Sequence, residues 1–217
     1  LFVWAIKDYI MLRALLQAET FDRIVSDNRF GFYSKKVESI YITHQLHIRF
    51  PHGWQWAEPI ATRFHARVYA RYNKVWVPDK EKEENSLAGE LSHLSPKELK
   101  RYHLDSKIEY IGTLSRFANQ SGVRLPKKVY HTVCLLSGLE PQRTLLEQEL
   151  IARYQDCTKD VLIIRGILGT PNMRITHRQI TLIPTLNDNE LVPILQHATH
   201  IIARSGYSTI MDFEALD

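Results

Sequence analysis

Cysteine is scarce in this sequence, and long apolar runs are missing. The two cysteines, Cys134 and Cys157, are too few for a disulfide framework or a cysteine-based metal site. Cys134 lies in an apolar run, which predicts a buried thiol and suits a reducing cytosol. No apolar stretch approaches the roughly 20 residues that span a bilayer. Lys7 and Asp8 interrupt the apolar start, so we expect no signal peptide and a cytoplasmic protein.

The sequence also has only a small net charge. There are 28 Lys and Arg residues against 24 Asp and Glu residues, which gives a net charge of +4. This mild excess permits an anionic ligand or an anionic membrane surface without requiring either. Because no nucleic-acid-binding motif accompanies it, we expect no nucleic-acid partner. The apolar fraction of 44% is ordinary for a globular core.

Short apolar or β-branched runs alternate with longer helical patterns along the whole chain. The predicted strands are 23–26, 39–43, 74–77, 108–111, 132–136, 161–165, 180–183 and 200–203. The predicted helices are 6–17, 57–72, 96–102, 142–154, 189–197 and one that starts near Ser208. Runs such as 161–164 are apolar at every position, which is typical of parallel strands covered on both faces. The pattern therefore predicts a doubly wound α/β architecture.

The segment between Gly112 and Lys128 breaks this alternation, because it is rich in Gly, Asn, Gln, Ser and Pro. We therefore predict an N-terminal domain at 1–112, a linker at 113–128 and a C-terminal domain at 129–217. The chain begins with Leu1 and stops inside a helical pattern. We expect it to be an interior fragment in which both domains are truncated.

Two strand-to-helix junctions of the second half predict an anion site. The first comprises Ser137, Gly138, Leu139, Glu140, Pro141, Gln142, Arg143 and Thr144. The second comprises Arg204, Ser205, Gly206, Tyr207, Ser208, Thr209, Ile210, Met211 and Asp212. Backbone N–H groups at a helix start favour a phosphate, and arginine adds a planar charged fork. At each junction a plain turn before a capped helix remains the alternative.

Two further junctions lie at strand ends in the first half. Asp27, Asn28 and Arg29 follow one predicted strand, and His44 and Gln45 follow the next. Dense polar groups at strand ends indicate a binding site, and His44 or Asp27 is a candidate base for acid–base chemistry. An Asx-turn and a hydrogen-bonded surface histidine are the simpler alternatives.

These four junctions together resemble those of the glycosyltransferases related to MurG, over roughly residues 22–217. The resemblance implies a GT-B fold, in which two Rossmann-like domains face a cleft, and transfer of a sugar from a UDP-sugar to a glycan or lipid-linked acceptor. The donor-binding residues that it implies are Arg116, Ser137, Gly138, Arg143, Thr144, Arg204, Ser205, Gly206, Ser208, Thr209 and Asp212. Asp212 matches the acidic residue that binds the ribose. Asn28, Arg29 and Gln45 would lie on the acceptor side.

The resemblance also implies inversion at the anomeric carbon without a metal or a cofactor, since no Asp-x-Asp motif lies at a strand end. One departure concerns Glu140 and Pro141, because the family's loop at this place is rich in glycine. A carboxylate pointing inward would repel a diphosphate, in which case Arg143 or Thr144 would compensate. The family's own catalytic base would precede Leu1, so we expect the fragment to be inactive by itself.

A basic and aromatic segment at 54–72 predicts contact with a membrane. Arg63, Arg67 and Arg71 share one helical face beside a stripe of Ile60, Phe64 and Val68. Anionic lipid suits such a surface, which places the protein on the inner face of the cytoplasmic membrane. The simpler interpretation is a helix that packs its stripe into the core. Two other functions also stay open, a UDP-sugar hydrolase and a non-catalytic nucleotide-binding module.

Overall fold

A computed structural model of the protein describes residues 2–118, 125–167 and 174–216. The chain forms two compact units, Leu1–Thr113 and Leu114–Asp217, which are called unit 1 and unit 2 below. Of the predicted linker, Thr113 therefore belongs to unit 1 and residues 114–118 and 125–128 belong to unit 2. Residues 119–124 of the predicted linker lie outside the described residues.

Unit 1 is built on a parallel sheet in which the strands pair in chain order. Its strands are β1 (Arg23–Asp27), β2 (Glu38–Ile42), β3 (Lys74–Val77) and β4 (Ile108–Tyr110). Its α-helices are α1 (Phe2–Ala18), α2 (Glu58–Tyr69) and α3 (Pro96–Tyr102). Helix α3 begins with a capping box, in which Ser95 accepts from the Glu98 amide and the Glu98 carboxylate accepts from the Ser95 amide.

The core of unit 1 is unusually aromatic. Tyr41, Tyr69 and Tyr72 are each about 1% exposed, and the ring centroid of Tyr41 lies 5.4 Å from that of Tyr69 and 4.9 Å from that of Tyr72. Their hydroxyl groups do not remain unpaired, since Tyr69 donates to the Gln45 carbonyl at 2.8 Å and Tyr72 to the Arg29 carbonyl at 2.8 Å. The rings thereby tie the loops that follow β1 and β2 to the core.

Unit 2 contains a mostly parallel sheet in the order β7-β8-β6-β5-β9. Its strands are β5 (Thr132–Leu135), β6 (Val161–Ile164), β7 (Ile175–His177), β8 (Ile180–Ile183) and β9 (His200–Ala203). Its helices are α4 (Gln142–Tyr154), α5 (Asp188–Gln196) and α6 (Tyr207–Glu214). The short strand β7 pairs antiparallel with β8 and is exposed at all three positions.

Apolar clusters cover both faces of this second sheet. Val133 and Leu162 pack with helix α5, whereas Cys134 and Ile163 pack with Leu150 of helix α4. Alternate residues of one strand thus face opposite cores, which explains why these strands are apolar at every position. Cys134 is fully buried, and burial raises the pKa of its thiol to about 11.

The architecture confirms the α/β class with parallel sheets that the sequence predicts, and it is compatible with a Rossmann-like fold. Helix α1 begins earlier than predicted, and strand β7 was not predicted at all. Within the ranges that the structure describes, no helix is both long and apolar enough to cross a bilayer.

Candidate functional site

The sheet of unit 2 reverses its direction of growth at strand β5. The chain passes from β5 through β6 to β8 on one side, and then returns to place β9 on the other side of β5. Ligands of open α/β sheets bind at the carboxyl ends of the strands that flank such a reversal. The loops that follow β5 and β9 are therefore the expected binding loops of this unit.

These two loops line a crevice of about 700 Å³. Its lining residues are Ser137, Gly138, Leu139, Gln142, Ala203, Arg204, Ser205 and Gly206. Five of the predicted donor-binding residues thus lie around one crevice, although they come from two distant parts of the chain. The volume lies within the range of about 300–1,000 Å³ that is usual for small-molecule sites.

Arg204 joins the two loops across this crevice. Its Nη1 donates to the Ser137 carbonyl at 3.1 Å, and its guanidinium covers Gly138. Gly138 has a φ of +101°, and a Cβ at this position would overlap the Arg204 guanidinium. Glycine is therefore required both by the backbone conformation and by the close approach of Arg204. Among the described residues no carboxylate pairs with Arg204, so its charge faces the crevice uncompensated.

Helix α6 starts at the mouth of the same crevice. It begins at Tyr207 after Gly206, and no described side chain caps its first turn. Ser205 and Ser208 are exposed and Thr209 is half-buried. An N-terminus of this kind presents backbone N–H groups and the positive end of the helix dipole to a ligand. The N-cap residue is Gly206, so neither Ser208 nor Thr209 caps the helix.

A smaller cavity of about 190 Å³ adjoins the crevice, and Ser137 lines both. The smaller cavity is lined by residues from five segments of unit 2, among them Gly166, Thr185, Thr209 and Asp212. Hydroxyl groups, the Arg116 guanidinium and the Asp212 carboxylate therefore lie beside apolar side chains in this recess. This composition suits a ligand that has an apolar ring and a few polar groups.

Two residues near the start of unit 2, which are distant from Asp212 in the sequence, hold the Asp212 side chain in place. Its carboxylate accepts from the Ser115 hydroxyl at 2.7 Å and from Arg116 Nε at 3.2 Å. Arg116 also pairs with Asp188 at 3.2 Å and lies 4.7 Å from the centroid of the Phe117 ring. Arg116 thus lies beside the predicted ribose-binding carboxylate and lines the same cavity. Sequence reasoning missed Ser115 and Asp188, because ordinary polar residues outside a motif carry no signal.

Arg143 and Thr144 make their contacts away from the crevice. Arg143 donates to Glu147 and to the Arg165 carbonyl, and it pairs with Glu140. Glu147 is 7% exposed and also accepts from Arg165 Nε at 3.0 Å. The Arg143 fork is therefore occupied within the protein and braces the start of α4 against the end of β6.

Glu140 does not point into the crevice. Its carboxylate accepts from the Thr144 hydroxyl at 2.7 Å and pairs with Arg143. The Thr144 hydroxyl, and next the Arg143 guanidinium, hold the pKa of Glu140 below its usual range. The carboxylate consequently stays ionised beside helix α4, and the expected repulsion of a diphosphate by this side chain is avoided.

The polar residues of unit 1 gather where its parallel strands end. Asp27 ends β1, His44 and Gln45 follow β2, and Asp79 follows β3. Burial lowers the pKa of His44, and the charges of Asp27 and Asp79 only partly oppose this effect. A half-buried histidine that is neutral near pH 7 is able to accept a proton. Gln45 is exposed, and its backbone N–H donates to Thr43 Oγ1 at 3.1 Å.

Asn28 and Arg29 shape the loop after β1. Asn28 adopts a left-handed φ of 52°, and its side-chain oxygen accepts from the Tyr41 hydroxyl at 3.4 Å. Arg29 pairs with the buried carboxylate of Asp8, and its guanidinium lies 4.4 Å from the centroid of the Phe32 ring. Both predicted acceptor-side residues therefore have structural partners as well as an exposed surface.

Eight of the predicted donor-binding residues line the crevice or the adjoining cavity, whereas Arg143, Thr144 and Ser208 line neither. The predicted acceptor-side residues lie in the loops that follow β1 and β2 of unit 1. Residues 2–118, 125–167 and 174–216 contain no group of three or more His, Cys, Asp or Glu side chains arranged to hold a metal ion. No protein-family model and no curated protein matches this chain.

Proposed function

We propose that this chain belongs to a nucleotide-sugar-dependent glycosyltransferase of the GT-B type, in which unit 2 binds the donor. The supporting observation is the crevice at the strand reversal of unit 2. It combines an N-terminus of α6 without a side-chain cap, the uncompensated charge of Arg204 and, in the adjoining cavity, the carboxylate of Asp212. These are the groups that a diphosphate and a ribose diol need.

In the proposed complex the diphosphate of a UDP-sugar lies against the first turn of α6. The amides of this turn and the Arg204 guanidinium bind its oxygens, and Ser205, Ser208 and Thr209 supply hydroxyl groups. The ribose hydroxyls donate to Asp212, and the base enters the adjoining cavity. Arg116 and Arg143 act as positioning residues, because Arg116 orients Asp212 and Arg143 braces the loop after β5.

The proposed reaction is a direct displacement at the anomeric carbon with inversion. An acceptor hydroxyl loses its proton to a base, its oxygen bonds to the anomeric carbon, and UDP leaves with the electrons of the broken bond. The α6 amides and Arg204 stabilise the charge that develops on the leaving diphosphate. His44 and Asp27 are the candidate bases, and Asn28, Arg29 and Gln45 are proposed to orient a glycan or lipid-linked acceptor. The proposal requires neither a metal nor a cofactor.

We also propose that the protein is cytoplasmic and touches the inner membrane surface through residues 54–72. Trp54 and Trp56 are stacked with centroids 6.2 Å apart and are 62% and 67% exposed. Ile60 is also exposed, whereas Phe64 and Val68 pack into the core of unit 1. The surface that remains for a membrane is thus the tryptophan pair with Ile60 and the nearby arginines.

Titration of UDP into the protein tests the donor assignment, and separate titrations of ADP and GDP serve as comparisons. We expect calorimetry to give tighter binding of UDP, and Asp212→Ala to weaken it about tenfold by removing hydrogen bonds to a charged group. Asp156→Ala is the matched control, because Asp156 is an exposed carboxylate paired only with Arg178 among described residues. A folded protein without nucleotide preference, or one indifferent to Asp212, would contradict the proposal.

A further inference from the structure

Unit 1 contains a second cavity, away from the strand ends that carry His44 and Asp27. It lies between helix α1, the loop that follows β1 and helix α2, and its volume is about 350 Å³. It is lined by Ala5, Ile6, Tyr9, Phe30, Gly31, Tyr33, Phe64, Arg67, Val68 and Arg71. Apart from the two arginines, the side chains are apolar or aromatic, as is usual for a ligand site.

Close packing fixes the shape of this cavity. Gly31 lies against the Ala5 carbonyl so closely that a Cβ would overlap it, which locks the loop onto helix α1. The Tyr33 ring lies 5.5 Å from the Tyr9 ring and 5.8 Å from the Tyr72 ring. The walls therefore pack against the buried tyrosine cluster of the unit, and this packing defines the shape of the cavity.

The two arginines distinguish this cavity from an ordinary packing gap. Arg67 is exposed in the last turn of α2 and Arg71 is exposed in the turn that follows this helix. No carboxylate of the described chain pairs with either. Arg71 lies 5.6 Å from the centroid of the Tyr33 ring, directly at the aromatic wall. The neighbouring Arg29 and Arg49, by contrast, are each paired with carboxylates. Two uncompensated charges thus border an apolar space.

We propose that this cavity binds a single-chain amphiphile, in which an alkyl chain ends in a phosphate or a carboxylate. The chain lies among the aromatic walls, where burial of its apolar surface stabilises the complex. The anionic head binds the guanidinium groups of Arg67 and Arg71, whose geometry suits both head groups. The site lies wholly in unit 1 and does not depend on the donor site proposed for unit 2.

Calorimetric titration of the whole protein tests separately whether the alkyl chain and the anionic head group of the ligand are needed for binding. Dodecyl phosphate and dodecanoate carry the chain and the charge, dodecyl maltoside carries only the chain, and inorganic phosphate carries only the charge. Below their micellar concentrations, we expect saturable 1:1 binding of at least one of the two anions and at least tenfold weaker binding of the maltoside and of inorganic phosphate. Equal binding of the maltoside or of inorganic phosphate would overturn the proposal.

Substitutions around the cavity then locate the site. Arg67→Gln and Arg71→Gln should each weaken binding of the anionic amphiphile about tenfold, because each removes a charge-assisted hydrogen bond. Arg63→Gln is the matched control, since Arg63 is exposed on helix α2 but does not line the cavity. Ala5→Phe should abolish binding by filling the cavity. An equal effect of Arg63→Gln would indicate diffuse attraction and overturn the proposal, even if Ala5→Phe fails to fold.

Discussion

Single residues shape the crevice of unit 2, which we propose binds an anion, and Gly138 is the clearest case. We expect Gly138→Ala to strain the backbone at a φ of +101° and to displace Arg204 from its place above the loop. The strain should lower the free energy of unfolding by about 1–3 kcal/mol. Loss of the Arg204 contact should weaken UDP binding about tenfold. Chemical denaturation and calorimetry measure these two effects separately.

Gly53 offers the matched control for this substitution. Its φ of +93° is nearly the same, but the space around it is open. Gly53→Ala should therefore cost a comparable amount of stability while leaving nucleotide binding unchanged. Equal binding of UDP by the two variants would contradict the role that we propose for Arg204 in donor binding.

In the polar cluster at the strand ends of unit 1, the burial of Asp79 was the feature that the sequence could least predict. Asp79 opens a run of six charged residues at 79–84, a composition typical of a solvated loop, yet Asp79 is fully buried. Its carboxylate accepts from the Ser92 hydroxyl and from the amides of Lys80, Leu87 and Ala88. These donors come from a folded loop whose path depends on tertiary packing, so composition gives no sign of them. By contrast, Gly138 and Arg204 lie in motifs whose positions at strand ends were readable.

At the scale of elements, the attachment of helix α4 to strand β6 depends on Glu147. Removal of its charge by Glu147→Gln leaves Arg143 and Arg165 without their shared partner in a largely buried place. We expect a loss of about 3 kcal/mol in the free energy of unfolding. The change in the midpoint of urea denaturation, followed by far-ultraviolet circular dichroism, measures it.

Glu149 lies on the same helix but is exposed, so Glu149→Gln is the control and should change stability by less than about 0.5 kcal/mol. If both variants were equally stable, the contacts of Glu147 would contribute no more than a surface ion pair does.

Periodicity predicted the elements that carry a continuous apolar signal, and it failed where that signal is absent. Strands β5 and β6 were readable because they are buried on both faces. Strand β7 has three exposed residues and forms only by pairing with β8, so its local sequence gives no indication of it. The first turns of α1 were missed because Val3 and Trp4 are exposed apolar residues, which break the expected amphipathic pattern.

At the scale of the whole molecule, the two units are distinguishable by fluorescence. All four tryptophans, Trp4, Trp54, Trp56 and Trp76, belong to unit 1. Tryptophan emission therefore reports on the unfolding of unit 1, whereas circular dichroism reports on both units.

This difference allows a test of the pH dependence that Asp79 contributes. Burial raises the pKa of Asp79, but the hydrogen bonds of Ser92, Leu87, Lys80 and Ala88 outweigh burial and leave it below the ordinary value of 3.8. A lowered folded-state pKa stabilises the protein above pH 3.8, and this stabilisation is lost as the pH falls through the folded value. Asp79→Asn should therefore be less stable at pH 7 and lose less stability on acidification.

The denaturation midpoint of tryptophan emission, measured between neutral pH and about pH 2, follows this effect in unit 1 alone. Asp105→Asn, which changes an exposed carboxylate of the same unit, should retain the pH dependence of the unaltered protein. A parallel pH profile for Asp79→Asn would mean that its hydrogen bonds stabilise the ionised form no better than water does.

The strand order of the two sheets also has a consequence for the order in which they fold. Each strand of unit 1 pairs with its successor, so the sheet can extend step by step as the chain grows. In unit 2, strand β5 must wait for β9, which lies four strands later in the sequence. Closing so long a loop is entropically costly and slows folding. During synthesis the crevice is thus completed only when β9 and the start of α6 have emerged, so partially synthesised chains lack the proposed anion site.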